Sequence, residues 1–312
     1  MKSTLMKLPN VLNLKNKAFY NTILRTAVTK TRKIDPFDAS SAVNTHPTPN
    51  PQRLKGKFAV VSGATGAVGR ETAELFAASG IEGLTITDLD DTKGKQLAEK
   101  LNDLYKKKIA HFVKTDVSKD EEVQRLFTEH MQHFGKLNVL FNNAGIMMQD
   151  DGTPLDTSLA SWEKTMAVNS TSVFLACKYA IPHMLNTKQP CSIINVASIV
   201  ALVGSASAQI AYTASKGAVL SMSKEMGIIY ARDNIRVNAV CPGPLYTDLL
   251  KYLLDTDEKL DRRLAHLPIG RFGHPKEIAQ ATAFLASDES SLVNASQFVV
   301  DGGLTSAYLT PL

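Results

Sequence analysis

Short apolar runs suited to buried strands recur along this chain, separated by longer stretches whose apolar residues return every three or four positions. The strand-like runs cover 57–61, 84–87, 137–141, 192–196 and 235–240, and the helix-like stretches cover 70–79, 93–105, 121–134, 161–183 and 212 to about 231. One segment, residues 191–217, concentrates chemistry: it opens as a β-branched strand and enters a helix at Tyr212. Tyr212 and Lys216 are four residues apart, so a helix places both side chains on one face. An ammonium beside a phenol favours the phenolate, and the expectation is that Lys216 lowers the Tyr212 pKa from its ordinary value of about 10. Ser198, fourteen residues before the tyrosine, ends the strand and can return its hydroxyl to the phenol. A reacting oxygen would sit between Ser198, which binds it, and Tyr212, the general acid/base.

A second pattern lies at the first strand. Residues 57–61 run straight into Ser62-Gly63-Ala64-Thr65-Gly66-Ala67-Val68-Gly69 and then into a helix. Strand, glycine turn and helix form a place where backbone amides at a helix N-terminus hold a diphosphate. The next strand ends in Asp88, nineteen residues after Gly69. A carboxylate there accepts hydrogen bonds from the adenosine ribose and repels the extra phosphate of NADP. Neither the glycine turn nor the residues immediately after Asp88 contain a lysine or arginine, so NAD is the expected cofactor.

Composition narrows the picture. The chain has 312 residues, 44% of them hydrophobic, which suits one α/β domain with an appendage. Its net charge is +5, yet residues 1–34 contain eight Lys or Arg and no acidic residue, so the tail outweighs the whole excess. A basic pI therefore does not imply nucleic acid binding. Within that tail Leu8, Leu12, Phe19, Ile23 and Ala27 fall at helical spacing among basic residues, the character of a mitochondrial targeting segment; a membrane-surface helix or an uncleaved, disordered tail are the alternatives, with a cytoplasmic location as the alternative to the mitochondrion. Residues 35–53, rich in proline, read as a linker, and the domain is expected over 54–312. No apolar run reaches the roughly 18 residues of a membrane span. Cys177, Cys191 and Cys241 lack pairing or metal spacing and read as inert thiols, and His130 and His133 read as a solvated helix face; no metal is expected.

Ser198 followed by Tyr212-Thr213-Ala214-Ser215-Lys216 resembles the signature of the short-chain dehydrogenase/reductase family, and further marks follow in order across about 54–305. The resemblance implies a doubly wound parallel sheet with helices on both faces, a Rossmann-like single domain. Within it Asp116-Val117 resembles the family's adenine contact, and Asn142-Asn143-Ala144-Gly145 its strand-end mark, where small residues let the cofactor lie against the backbone. Asn169 resembles the fourth catalytic position, an asparagine that interrupts a helix, and Lys216 takes on binding of the nicotinamide ribose. Pro242-Gly243-Pro244-Leu245-Tyr246-Thr247 resembles the segment that holds the nicotinamide carboxamide, with Thr247 as the hydroxyl. Two positions depart from the family pattern: Ala67 replaces the middle glycine of the turn, and Ala295 stands where glycine is common. Residues 248–267, the place of the family's substrate lid, carry many leucines, which with Met147 and Met148 suggests an apolar pocket. The implied activity is NAD-dependent interconversion of a hydrophobic secondary alcohol and its ketone, by a homodimer or homotetramer. The rivals are a mitochondrial 3-oxoacyl-thioester reductase using NADPH and a catalytically idle NAD-binding scaffold.

Overall fold

A computed structural model describes residues 49–308 apart from 206, 248, 249, 251–253 and 255. The expected N-terminal helix, most of the linker, and Leu249, Tyr252 and Leu253 of the expected lid lie outside the described residues.

Alternate residues of the first strand enter two different cores, and this organises the rest. In β1 (Phe58–Ser62), Ala59 and Val61 pack on one side of the sheet while Val60 packs on the other. A strand buried on both faces must be apolar throughout, which is why these strands appear as runs rather than as polar/apolar alternation. The elements that follow are α1 (Ala67–Ala78), β2 (Gly83–Asp88), α2 (Asp91–Tyr105), β3 (Ala110–Lys114), α3 (Asp120–Phe134) and β4 (Val139–Asn142). After these come α4 (Leu159–Met166), a π-helical turn (Ala167–Thr171), α5 (Ser172–Thr187), β5 (Cys191–Val196), α6 (Ile210–Ile229) and β6 (Ile235–Pro242). The chain then adds α7 (Asp257–Leu264), α8 (Pro275–Ala286) and β7 (Gln297–Val300).

The strands form one seven-stranded sheet in the order β3-β2-β1-β4-β5-β6-β7, and every pairing is parallel. Helices α1, α2 and α8 cover one face and α3, α5 and α6 the other. The chain winds outward in both directions from β1 and β4, so a crevice opens at their carboxyl ends, where such sheets bind ligands. Leu54 is fully buried in the first core. Among the described residues no helix is long and apolar enough to cross a membrane, and no group of three or more His, Cys, Asp or Glu is placed to hold a metal.

Two sequence expectations change. The stretch 161–183 is not one regular helix: it starts at Leu159, widens into the π-turn around Asn169 and ends at Thr187. His130 is not solvated either. It is 0% exposed and continues the apolar stripe of Val123, Leu126 and Phe127 on α3, while His133 is exposed as expected. Its Nε2–H donates to the Lys136 carbonyl at 2.9 Å and its Nδ1 shares a hydrogen bond with the Thr85 hydroxyl at 2.8 Å, so the neutral ring has both nitrogens satisfied. Periodicity located the position, but a histidine counts as polar until both nitrogens are seen to be satisfied.

Burial lowers the His130 pKa from 6.5 to about 4, with the Lys136 carbonyl opposing. The unfolded chain thus takes up a proton near 6.5 that the folded chain refuses until about 4. Stability from this group is complete above 6.5, falls as pH drops through that window and is level below about 4, a loss on the order of 3 kcal/mol. Urea unfolding at pH 7 and pH 4.5 of the wild type and of His130→Gln checks this: the variant should lose less stability between the two, and parallel losses would refute the assignment.

Ala295 adopts the left-handed conformation, φ 53°, which explains why glycine is common at this position. An L-residue there is strained by about 1–2 kcal/mol. The turn is held in place by Ala295 N–H donating to the Val237 carbonyl at 2.9 Å and by Asn294 bonding Gly227 and Val237.

Candidate active site

The crevice is lined first by the turn between β1 and α1. Gly63 has φ +63°, and a Cβ on it would lie 2.9 Å from the Ala144 Cα. A Cβ on Gly69 would lie 2.1 Å from the Gly63 carbonyl oxygen, so the turn closes only without a side chain there. Gly66 is the N-cap of α1, and the helix begins at Ala67 with no side-chain cap and no acidic residue in its first turn. Uncapped amides and the positive helix end suit a diphosphate. Ala67 fits because it is the first helical residue, partly exposed, where a methyl group meets no conformational penalty. Val68 packs on the core.

Asp88, at the end of β2, accepts the Thr65 N–H at 2.9 Å and the Leu89 N–H at 2.8 Å. It therefore also shapes the glycine turn from outside. Ser62 Oγ accepts the amides of Asn143 (3.0 Å) and Ala144 (3.2 Å), and Asn143 Nδ2 donates to the Ser62 and Gly63 carbonyls at 3.0 and 3.1 Å. These bonds lock the ends of β1 and β4 side by side. Asp116 is engaged by Ser118, whose N–H and hydroxyl donate to it at 3.0 and 2.6 Å, and Val117 lines a small buried cavity beside Ser62 and Asn142.

Across the crevice, β5 delivers Ser198 and α6 delivers Tyr212 and Lys216. The Ser198 hydroxyl lies beside the Tyr212 phenol and favours its ionised form. The Lys216 amine donates to the Val196 carbonyl at 2.8 Å and stands 5.6 Å from the centre of the Tyr212 ring. Gly145 closes on the same amine: a Cβ added there would meet Lys216 Nζ and Asn169 Oδ1, both at 3.4 Å. Asn169 is fully buried on the π-turn. Its Oδ1 accepts the Ile146 N–H at 2.8 Å, and its Nδ2 donates to the Ile146 carbonyl at 2.9 Å and to Ser215 Oγ at 3.1 Å. Asn169, Ser198, Tyr212, Lys216 and Gly145 are thus gathered in one place.

The electrostatics differ from expectation in one respect. Burial raises the Tyr212 pKa, with the Ser198 hydroxyl opposing, and burial lowers Lys216 to about 8. Lys216 does not depress the phenol in this state, because the enclosure that disfavours phenolate also disfavours ammonium. A neutral phenol beside Ser198 is set to donate a proton.

Behind these groups, Pro242, Gly243, Leu245 and Thr247 follow from β6 and are partly buried. Gly243 N–H donates to Val300 at 3.0 Å, Leu245 pairs with Gly273, and Tyr246 N–H donates to the Gly273 carbonyl at 2.7 Å. The Arg271–Glu277 ion pair, at 2.8 Å, braces Gly273 from the side. Thr247 Oγ1 accepts the Leu250 N–H at 3.3 Å. Of the expected lid, Leu250, Leu254 and Leu264 are partly buried and Leu267 is buried; Met147 and Met148 are partly buried. The sequence reading missed Asp151, whose carboxylate reaches the first turn of α6. Sixty residues separate the partners, and no local motif connects them.

A parallel sheet with a glycine turn at its switch point and a Ser-Tyr-Lys cluster across the crevice defines a dinucleotide-binding fold with acid/base groups. A family profile described as enoyl-(acyl carrier protein) reductase matches residues 63–305, and this chain belongs to the short-chain dehydrogenase/reductase family. It is 37% identical over 257 residues to 2-(S)-hydroxypropyl-CoM dehydrogenase 3 of Xanthobacter autotrophicus, covering 81% of this chain and 98% of that one. It is 35% identical over 252 residues to the 3-oxoacyl-[acyl-carrier-protein] reductase FabG of Chlamydia pneumoniae, covering 81% and 98%. Among solved structures, that of gox2181 superposes with a TM-score of 0.77 at 29% identity, covering 82% of this chain and 98% of that one. The relatives are oxidoreductases acting on CH–OH groups, and the family uses a nicotinamide nucleotide.

Proposed function

We propose that this chain is an NAD-dependent oxidoreductase that interconverts a hydrophobic secondary alcohol and its ketone. The observation that carries the reading is the Ser198–Tyr212 hydroxyl pair beside the Lys216 amine, facing a crevice whose other wall is the uncapped glycine turn. Ser62, Gly63, Thr65, Gly66, Ala67, Val68 and Gly69 would cradle the diphosphate, and Asp88 the adenosine ribose. Asp116 and Val117 would border the adenine, and Asn143, Ala144 and Gly145 the nicotinamide side. Pro242, Gly243, Leu245 and Thr247 would orient the nicotinamide ring. When bound, NAD supplies the hydride acceptor, and its reduced form the donor.

The chain's own residues handle the proton. Ser198 bonds the reacting oxygen, and Tyr212 removes the hydroxyl proton in oxidation or returns it in reduction. Lys216 would bind the nicotinamide ribose; its pKa of about 8 leaves it mostly protonated at neutral pH, a positive charge that favours the phenolate as the proton leaves. Asn169 holds Ile146 and the α6 face, keeping a backbone path open toward Lys216. Acid/base work of this kind contributes on the order of 10²- to 10⁴-fold, and positioning supplies the rest. Exposed Phe174 on α5 (54%) and Ile228 and Ile229 on α6 (69% and 55%) support a homodimer or homotetramer through these helices.

The experiment is initial-rate reduction of NAD and of NADP by the full chain with hydrophobic secondary alcohols, steroids, terpenoids and 3-hydroxyacyl thioesters. NAD reduction with one alcohol class supports the reading. The similarity to FabG favours a second reading, a 3-oxoacyl-thioester reductase. Activity with NADP alone, on thioesters, would establish that reading in place of the first.

A further inference from the structure

Tyr212 stands in the first turn of α6, where backbone N–H groups have no partner within the helix. The residue at the N-cap, Gln209, makes no capping bond with its side chain. The loop between β4 and α4 supplies the missing acceptors. Asp151 Oδ1 accepts the Ala211 N–H at 2.9 Å, Oδ2 accepts the Tyr212 N–H at 2.8 Å, and the Gly152 carbonyl accepts the Ile210 N–H at 3.1 Å. Three successive amides are thereby held from one loop.

The other end of that loop is held as well, by the paired bonds of Asn169 to both backbone groups of Ile146. Between the two anchors lie Met147 and Met148, partly buried. The neighbouring Asp150 is not a substitute for Asp151: it is engaged on α4, accepting the Ser158 and Ser161 hydroxyls at 2.9 and 2.6 Å. A carboxylate at a helix N-terminus gains from the helix dipole and from charge-assisted bonds, so the Asp151 contact is stronger than a neutral cap.

Resting on the oxidoreductase reading, we infer that Asp151 is a positioning residue for the reaction: its carboxylate joins the methionine-bearing loop to the helix of Tyr212, fixing the phenol relative to the substrate. The Asp151 carboxylate directs its hydrogen bonds to the backbone amides of Ala211 and Tyr212, away from the glycine turn that would cradle the diphosphate. Its loss should therefore act on turnover and on the alcohol, not on NADH affinity.

The test compares the full-length wild type with Asp151→Ala and Asp151→Asn by amide hydrogen exchange, NADH binding fluorescence and steady-state kinetics. In Asp151→Ala, protection at Ala211 and Tyr212 should drop while that of the central strands is kept. Its kcat/KM for the alcohol should fall about 10- to 100-fold, the scale of a misplacement near 1 Å, with NADH affinity unchanged. Asp151→Asn, which keeps one acceptor oxygen, should recover part of both. Unchanged kcat/KM in Asp151→Ala, a parallel loss of NADH affinity, or an Asn variant no better than Ala would overturn the inference. A wild-type chain that binds NADH but turns over no alcohol or ketone would instead sink the functional reading, and the tie to α6 would then stand or fall on the exchange data.

Discussion

Tyr212→Phe is expected to lower kcat by about 10²- to 10⁴-fold or more while leaving the fold and NADH affinity intact. The substitution removes one oxygen atom and keeps the ring that lies beside the Lys216 amine. The Ser198 hydroxyl loses the phenol beside it and retains the Val200 N–H at 3.3 Å. The backbone amide of residue 212 still reaches Asp151. The Lys216 amine, the nearest other acid, is turned to the Val196 carbonyl at 2.8 Å and does not take the place of the phenol oxygen in protonating the ketone. Steady-state kinetics with NADH fluorescence titration decide it: turnover near the wild-type rate would remove Tyr212 from the chemistry, and lost NADH binding would show that the ring itself holds the site together.

Gly69→Ala is expected to weaken NADH binding by at least about tenfold, the equivalent of about 1.4 kcal/mol, and to lower the melting temperature. The added Cβ would come 2.1 Å from the Gly63 carbonyl oxygen and 2.8 Å from the Ala64 Cα, both backbone atoms that cannot rotate away. The turn must open, and with it the amide end of α1 and the Thr65 bond to Asp88. Ala67→Gly is the contrasting change: position 67 is already helical, so binding should stay close to that of the wild type. Isothermal titration of both variants checks the pair, and equal affinities for Gly69→Ala and wild type would show that the turn is not the dinucleotide cradle.

Elements whose signal is local were legible from the residue pattern. The buried strands show as apolar runs because both faces of the sheet are covered, and β1, β2, β5 and β6 fall within a residue or two of where periodicity put them. The glycine turn was legible because its spacing states a steric requirement. The Ser198, Tyr212 and Lys216 cluster was legible because four-residue spacing on a helix places two groups on one face, and the strand end brings the third. The failures have a common cause. His130 was misplaced because its satisfaction depends on Thr85 and Lys136, neither of which its own helix turn reveals. Asp151 went unseen because its partners lie on an element sixty residues away.

The sequence by itself determined which candidate residues the site would bring together, the order of strands and helices, and, through the ordered family motifs, the doubly wound architecture. These follow from side-chain identity and short-range spacing, properties of the chain before it folds. Only the tertiary structure decided the ionisation of Tyr212 and Lys216, the engagement of Asp88 with the glycine turn and the tie from Asp151 to α6. Each of these depends on how much water is excluded and on which distant backbone groups arrive unpaired, and neither quantity exists until the sheet has brought its carboxyl ends together.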